Sequence, residues 1–500
     1  MVTDDCVLAI DLGTGGPKVA IVQVDGSVLA WSYRSVSTRF VGDGGAEQDP
    51  HEMWASVVAA TRDVLGRTGA FGAPRRFAAV AVTSQYMSIV PVLANGMPTG
   101  PCVLWMDTRG AAHNRTLLND ATIALCVERH GLIPLPSGGD NIAHVHALRR
   151  HHLEAYAAAH AFVEPMDYIN ARLCGRVVAT QSTMFGQLVC DNRTWGSVEY
   201  DRELVAATGL DPDKLPELHA MNGFIGEVST AVANELGIAA GIPVAVATID
   251  SITSAVGSGS IDSSAASVVI GTTSVIVSHV GQHRSDLMAG ILAVPSPLTG
   301  QYFVMAENGV GGRALEWASR LFGYGDAVAA AIDEAATVAA GAGGVGFLPW
   351  LLGSIAPRPN ADVRAAFVGM SLHHDRAHAI RAVLEGVALN LGWLLPAVEE
   401  FIGAAVPFVR FGGGGAQSDL WAQVLADALD RPVHRLADPR TTNARGAAFL
   451  AFADLGRMSI ADVPGLTRIA AVHEPLAAHR ATMEAGLARL IALHATLGGS

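Results

Sequence analysis

The sequence predicts an α/β protein that consists of two related domains. Two segments, at 7–24 and 266–278, repeat one pattern in which an apolar strand leads through a Gly-Thr turn into a second strand. At 500 residues the chain has room for two large domains, or for roughly three of ~150 residues. Amphipathic helical patterns fill much of the C-terminal half. We therefore expect one domain over residues 1–257 and a second over residues 258–500.

The first forty residues predict three consecutive antiparallel strands. The apolar or β-branched runs lie at 7–10, 18–24 and 28–31. Asp25-Gly26 is typical of the hairpin turn between the second run and the third. This arrangement makes the opening of the first domain a small antiparallel unit.

The rest of the chain predicts helices that alternate with strands. Gly257-Ser258-Gly259-Ser260 is typical of a connector between the two domains. Ser418 is placed to cap the helix that follows the Gly412–Gly415 turn. The remaining predicted elements are helices at 52–65, 111–130, 327–340, 380–391 and 420–429, and strands at 266–270, 275–278 and 409–411.

Composition and charge exclude several classes of protein. The chain has 33 basic and 46 acidic residues, a formal charge of -13, which argues against a nucleic-acid partner. The longest uncharged stretches, such as 288–306, are broken by prolines and polar residues. They predict buried strands rather than membrane spans, so we expect no membrane partner.

The N-terminus and the cysteines predict a cytoplasmic protein. The acidic start, Met1–Cys6, has neither the basic region nor the long apolar region of a signal peptide. The sequence has five cysteines and no C-x-x-C pair, which favours free thiols over disulfides or a cysteine zinc site.

The turn after the first strand is the first candidate site. It reads Asp11-Leu12-Gly13-Thr14-Gly15-Gly16-Pro17-Lys18, and a strand rather than a helix follows. It is therefore neither a Walker A loop nor a dinucleotide fingerprint. Glycine N–H groups, a hydroxyl and a lysine at a hairpin tip can cradle a phosphate, and Asp11 can hold Mg²⁺ through water. The alternative is an ordinary turn that Asp11 caps.

Three further candidates end or follow apolar strands. Gly271-Thr272-Thr273-Ser274 repeats the first turn and can form the second jaw of a clamp. Asp250 follows the apolar run 244–249, which suits either a partly desolvated general base or a helix N-cap. The glycines at 412–415 let the backbone approach an anionic or flat ligand, or else serve tight helix–strand packing.

These four motifs, in this order, resemble those of the FGGY family of carbohydrate kinases, which includes xylulokinase and glycerol kinase. The matching residues are Asp11, Gly13, Thr14 and Lys18 in the first phosphate motif, Gly271 and Thr272 in the second, Asp250 as the catalytic aspartate, and Gly414, Gly415 and Ser418 in the adenosine motif. Gly312 lies in a segment, Gly311–Trp317, that resembles the helix start lining the family's nucleotide pocket.

The resemblance implies a two-domain, actin-like (ribonuclease H-like) ATPase fold with a central cleft. It implies a kinase that transfers the γ-phosphoryl group of ATP to a hydroxyl of a sugar or polyol, with a xylulose-like ketose as the first candidate. ATP and Mg²⁺ are the implied cofactors, with Asp250 as the base and with Asp11 and Asp250 near the metal. A homodimer is implied as well.

The sugar side departs from the family pattern. Leu104–Arg109 resembles the W-x-D-x-R segment near the sugar, which implies that Asp107 and Arg109 bind substrate; a structural ion pair is the alternative. Gln85-Tyr86-Met87-Ser88 stands where xylulokinases carry Q-M-H-G and glycerol kinases carry Q-R-E. Gln85, Tyr86 and Met87 remain candidate substrate-binding residues, but the missing hydroxyl-binding groups alter the expected specificity.

Other functions fit parts of the sequence. A non-catalytic, actin-like nucleotide-binding protein that senses sugar is favoured by the altered sugar motif and disfavoured by the intact Asp250. A Rossmann oxidoreductase is disfavoured because the glycines of the first turn lead into a strand. Close histidine pairs, such as His373-His374, suggest a metal enzyme, but no H-E-x-x-H motif occurs.

Overall fold

The fold is taken from a computed structural model of the chain, which describes residues 6–68 and 77–497. Residues 1–5, on which the expectation of a missing signal peptide rests, lie outside the described residues. All five cysteines are described and all are free thiols, as expected.

Secondary structure alternates between strands and helices along the described chain. The first half contains β1 (Cys6–Gly13), β2 (Gly16–Gln23), β3 (Val28–Tyr33), β4 (Arg39–Val41), β5 (Gly45–Gln48), α1 (Pro50–Arg67), β6 (Ala79–Ser84), β7 (Val90–Val92), β8 (Cys102–Val103), α2 (Ala111–Leu117), α3 (Asp120–Arg129), α4 (Asn141–His151), α5 (Leu153–Ala158), β9 (Ala161–Val163), α6 (Pro165–Cys174), β10 (Val178–Thr180), α7 (Arg202–Thr208), β11 (Glu217–His219), β12 (Phe224–Glu227), α8 (Thr230–Leu236), β13 (Pro243–Ala245), β14 (Thr248–Ile249) and α9 (Asp250–Gly257).

The second half begins with a hairpin and ends with a long helix. It contains β15 (Ala266–Ile270), β16 (Thr273–Val280), β17 (Ser285–Asp286), β18 (Ile291–Pro295), β19 (Tyr302–Val310), α10 (Gly312–Leu321), α11 (Val328–Ala335), β20 (Gly346–Leu348), β21 (Ala366–Val368), α12 (Arg376–Ile402), β22 (Val409–Gly412), α13 (Asp419–Leu429), β23 (Val433–Leu436), α14 (Thr442–Asp454), α15 (Val463–Leu466), β24 (Ile469–His473) and α16 (Arg480–Leu497).

Two large mixed sheets organise the two halves, and they share a local topology. In the first sheet the order is β12-β13-β6-β1-β2-β3, with β14 also paired to β6. In the second the order is β17-β18-β19-β16-β15-β22-β23-β24. In each sheet a hairpin (β1–β2 or β15–β16) is followed by a parallel neighbour of its first strand (β6 or β22). The repeat that the sequence suggested is thus a repeat of strand order.

The predicted strands and helices are largely confirmed, with two differences. The three opening strands pair antiparallel from Cys6↔Gln23 onward. The pattern at 111–130 predicted one helix but forms two, because the Asn119 side chain accepts from the Thr122 N–H and starts a new helix there. The alanine-rich segment at 327–340 is helical only over α11.

Helix α14 joins the two halves. Although it lies late in the chain, its alanines (Ala444, Ala447, Ala448 and Ala451) pack on strands of the first sheet. It also crosses α9 at very short range. A Cβ added to Gly446 would lie 1.9 Å from the Thr253 carbonyl oxygen, and one added to Gly257 would lie 2.1 Å from that of Thr442. Glycine at both positions therefore allows the two helix backbones to touch.

Helix α12 is the core helix of the second half. Among the described residues it alone is long and apolar enough to cross a membrane, but 78% of its most apolar window is buried inside the protein. It contributes Ile380, Val383, Leu384 and Val387 to the second core, as the sequence periodicity predicted. The length and hydropathy of α12 are those of a buried core helix.

Candidate active site

Asp11 and Lys18 face each other across the first hairpin. They are register partners of β1 and β2, and Lys18 Nζ lies 2.9 Å from Asp11 Oδ2. Asp11 is 1% exposed, and the amide of Asn443 in α14 donates to its other carboxylate oxygen at 3.5 Å. The charge of Asp11 raises the pKa of Lys18, so the ammonium stays charged at neutral pH.

Thr14 lies at the tip of this hairpin, beside Gly13, and connects it to the predicted sugar segment. Its hydroxyl donates to Gln85 Oε1 at 2.5 Å and accepts from the Trp105 indole at 3.1 Å. The amide of Gln48 donates to the Thr14 carbonyl at 2.7 Å. The predicted phosphate turn and the predicted sugar segment are therefore in direct contact.

Asp250 stands where the short strand β14 ends and α9 begins. Ile249 is the N-cap of α9 and Asp250 is its first helical residue, so the alternative of Asp250 as the N-cap is wrong. Its carboxylate accepts from the Ser251 hydroxyl at 3.2 Å. Burial and the nearby charge of Asp11 raise the pKa of Asp250 to about 7, while Lys18 acts in the opposite direction. A carboxyl group with this pKa can accept a proton near neutral pH.

The glycine motifs of the second half meet at one edge of the second sheet. Because β15 and β22 are parallel neighbours, the turns that follow them lie side by side. The Gly312 N–H donates to the Gly271 carbonyl at 2.8 Å, which brings the start of α10 to the same edge. Gly413 has φ 79°, and a Cβ there would lie 2.6 Å from the Ile270 carbonyl oxygen.

The surfaces of these turns remain open. Within the described residues, a Cβ added to Gly271 would meet no atom within 4 Å, and Thr272 and Gly414 are exposed, whereas Gly415 is buried. Ser418 caps α13 by accepting from the Trp421 N–H at 3.1 Å. Open backbone beside two helix starts is the arrangement that binds phosphate groups.

The sugar segment follows β6 and bends sharply at Met87, which has φ 55°. The Glu164 carboxylate holds this bend, because it accepts from the N–H groups of Met87 and Ser88 at 2.9 and 3.0 Å. The Tyr86 hydroxyl donates to the sulfur of Met305, in β19 of the second half, at 2.8 Å. Tyr86 therefore spans the space between the two halves.

Asp107 and Arg109 form a buried ion-pair cluster. Their side chains are 0% and 4% exposed, and Arg109 Nη2 lies 2.6 Å from Asp107 Oδ2 and 2.9 Å from Glu47 Oε1. Asp107 also accepts from the Ala46 N–H at 2.9 Å. The structure thus shows the ion pair that the sequence offered as the alternative. Substrate binding by these two residues stays a prediction.

Known proteins match the chain over nearly its whole length. The family model described as "FGGY family of carbohydrate kinases, N-terminal domain" matches residues 6–257, and the model of the C-terminal domain matches residues 266–455. The chain belongs to the FGGY family of carbohydrate kinases. It is therefore a phosphotransferase of the sugar-kinase type that uses ATP, as the sequence predicted.

FGGY kinases with different names show similar sequence identity to this chain. A xylulose kinase of Staphylococcus epidermidis is 26% identical over 90% of this chain and 88% of its own length. A gluconokinase of Bacillus subtilis is 26% identical over 85% and 83%. The crystal structure of a xylulose kinase from Rhodospirillum rubrum superposes with a TM-score of 0.84, at 27% identity over 98% and 99%. These matches confirm the two-domain, actin-like ATPase fold.

Several residues that contact the candidate site were not among those predicted from the sequence. Asn443 contacts Asp11 because α14 packs on the first sheet, a contact that residues near Asn443 in the sequence do not reveal. Trp105, in the Leu104–Arg109 segment, is 37% exposed, and its indole N–H donates to the Thr14 hydroxyl. No local pattern marks Gln48, because a contact between segments that are far apart in the sequence brings it to Thr14.

Proposed function

We propose that this FGGY kinase transfers the γ-phosphoryl group of ATP to a hydroxyl of a sugar or polyol, with a xylulose-like ketose as the first candidate and Asp250 as the base. The observation that carries the proposal is the position of Asp250 at the start of α9, beside the Asp11–Lys18 pair, where its pKa is raised to about 7. A base of this pKa is half ionised at neutral pH, where proton transfer from an alcohol is most efficient.

Asp11 and Asp250 would hold Mg²⁺, mainly through water. Within residues 6–68 and 77–497 no group of three or more metal-binding side chains occurs. Mg²⁺ normally keeps several waters and uses one or two carboxylates together with substrate phosphates, so a pair of aspartates fits it. When bound, ATP would supply the phosphoryl group and Mg²⁺ would spread the charge that develops on it.

The chain's own groups would bind and orient the reactants. Lys18, the Thr14 hydroxyl and the amides around Gly13 contact phosphate from the first half. Gly271, Thr272 and Gly312 contact phosphate from the second half, and Gly414, Gly415 and Ser418 lie along the adenosine. Asp250 takes the proton from the acceptor hydroxyl as that oxygen attacks the γ-phosphorus in line. The other groups contribute by positioning the reactants and by stabilising charge.

The test is coupled ADP release over a panel of ketoses, pentitols, tetritols and glycerol. We expect acceptor-dependent turnover by the wild type that is lost in Asp250→Asn. Full acceptor-dependent turnover by the variant would refute the role of Asp250. ADP release that no acceptor increases, together with saturable ATP binding, would instead support a non-catalytic sensor.

Assembly and location complete the proposal. We infer domains over 1–257 and 258–500, a homodimer, and a cytoplasmic location, the last supported by the free thiols at all five cysteines. Light scattering coupled to gel filtration tests the dimer: a monomeric mass at micromolar concentration would refute it.

A further inference from the structure

Alternate side chains of strand β19 face the first half of the protein. Successive residues of a strand face opposite sides of the sheet. Phe303 and Met305 belong to the core that the first half shares with this sheet, whereas Val304 and Ala306 belong to the core of the second half. Glu307 follows in the same regular register with β16, where it pairs with Val275. It therefore lies on the same face as Met305, toward the first half.

Glu307 has no protein partner of its own. Across residues 6–68 and 77–497 its carboxylate makes no hydrogen bond or ion pair with another side chain or backbone group, although the residue is more than half buried. Burial raises the pKa of Glu307 to about 7. A partly buried carboxyl group without a partner costs free energy, and such groups are kept where they bind a ligand.

The Glu307 carboxyl group lies near Tyr86, on the side of the cleft proposed to bind the acceptor. The Tyr86 hydroxyl lies 2.8 Å from Met305 Sδ, two residues from Glu307. Burial and the charges of Glu307 and Asp250 raise the pKa of Tyr86 well above its usual value, so its hydroxyl stays protonated. The Tyr86 hydroxyl and the Glu307 carboxyl group therefore lie close to the proposed base, Asp250.

The surroundings of Tyr86 are rich in carboxyl groups. Glu164 adds a further one, which acts on the Tyr86 hydroxyl and whose own pKa is raised well above its usual value by burial. The nearby cations are already paired, Lys18 with Asp11 and Arg109 with Asp107 and Glu47. Carboxyl and hydroxyl groups can hydrogen-bond sugar hydroxyls, whereas a carboxylate on the substrate would meet cations that are already paired and would oppose ionisation of these carboxyl groups.

We propose that Tyr86, Met305 and Glu307 form an acceptor subsite in which Glu307 hydrogen-bonds a hydroxyl of a neutral sugar or polyol, and that this subsite rejects acceptors that carry a carboxylate, such as gluconate. The inference rests on the proposed kinase function and adds the substrate class and a specificity residue from the second half.

The test compares Glu307→Ala and Glu307→Gln with the wild type, and uses Glu484→Gln, an exposed glutamate on α16, as the matched control. With the best neutral acceptor we expect Glu307→Ala to raise the acceptor KM by about tenfold or more, as for a lost hydrogen bond to a charged group. The KM for ATP should change less than twofold, and Glu307→Gln should recover part of the loss. An unchanged acceptor KM in Glu307→Ala would overturn the proposal.

Binding separates this inference from the proposed reaction. In Asp250→Asn, where no transfer is needed, calorimetry with xylulose, xylitol and gluconate should show the neutral compounds binding at least about tenfold more tightly than gluconate. Equal or tighter binding of gluconate would overturn the subsite proposal even if phosphoryl transfer is confirmed. Selective binding of neutral compounds supports the subsite even if the wild type proves unable to transfer phosphate.

Discussion

Asp250→Asn should make the protein less active and more stable at the same time. The Asp250 carboxyl group has a pKa of about 7 in the folded protein, against 3.8 for an ordinary aspartate. The folded state therefore keeps its proton over this range while the unfolded state loses it, so Asp250 lowers the stability of the protein as pH rises from about 4 to 7. An asparagine carries no such penalty.

The magnitude follows from the two pKa values. Between pH 5 and pH 8 the stability of the variant relative to the wild type should rise by roughly 2.5 kcal/mol. Over the same range kcat/KM of the wild type should fall about tenfold per pH unit below pH 7, because the base must be ionised. The variant should lose ~10²–10⁴-fold in kcat/KM at pH 8, the usual contribution of a general base.

Urea unfolding without ligands at pH 5 and pH 8, together with coupled ADP release, measures both effects. Asp213→Asn, at an exposed aspartate, controls for the change of charge and should show neither effect. A stability difference that is the same at both pH values would refute the burial of an ionisable Asp250. A pH-independent kcat/KM in the wild type would refute its role as the base.

Two other substitutions test the phosphate cradle and the helix crossing. Lys18→Ala should raise the KM for ATP by about tenfold or more while circular dichroism stays unchanged, because it removes a charge that contacts phosphate; Lys214→Ala, at the only other lysine, should leave that KM unaltered. Gly446→Ala should lower the free energy of unfolding by about 1–3 kcal/mol, since its Cβ would overlap the Thr253 carbonyl. Gly465→Ala, where a Cβ meets no described atom within 4 Å, should change stability little in the same urea titration.

Local sequence predicted those parts of the site that depend on one turn. The Asp11–Lys18 hairpin, the Gly271 turn and the Ser418 cap all lie where strand and glycine patterns placed them. Each of these arrangements is fixed by residues that are close in the chain, so a single sequence contains the necessary information.

Contacts between distant segments could not be predicted in this way. Asn443 reaches Asp11 and Met305 reaches Tyr86 only because the two halves fold against each other. The W-x-D-x-R resemblance likewise did not reveal that Arg109 would be shared with Glu47, because that pairing depends on the β5–β8 register. Glu307 has no signal in its own neighbourhood, since its position follows from strand alternation within a sheet whose register the sequence does not contain.

The crossing of α14 over α9 affects how the protein can be made. The alanine face of α14 covers apolar residues of the first sheet, including Val7, Ala9 and Ala20. On the ribosome that surface therefore stays exposed until residues 442–454 have been synthesised, long after the first sheet is complete. A fragment that stops at residue 257 would keep the surface uncovered, so the two halves should be recovered in soluble form only when they are produced together.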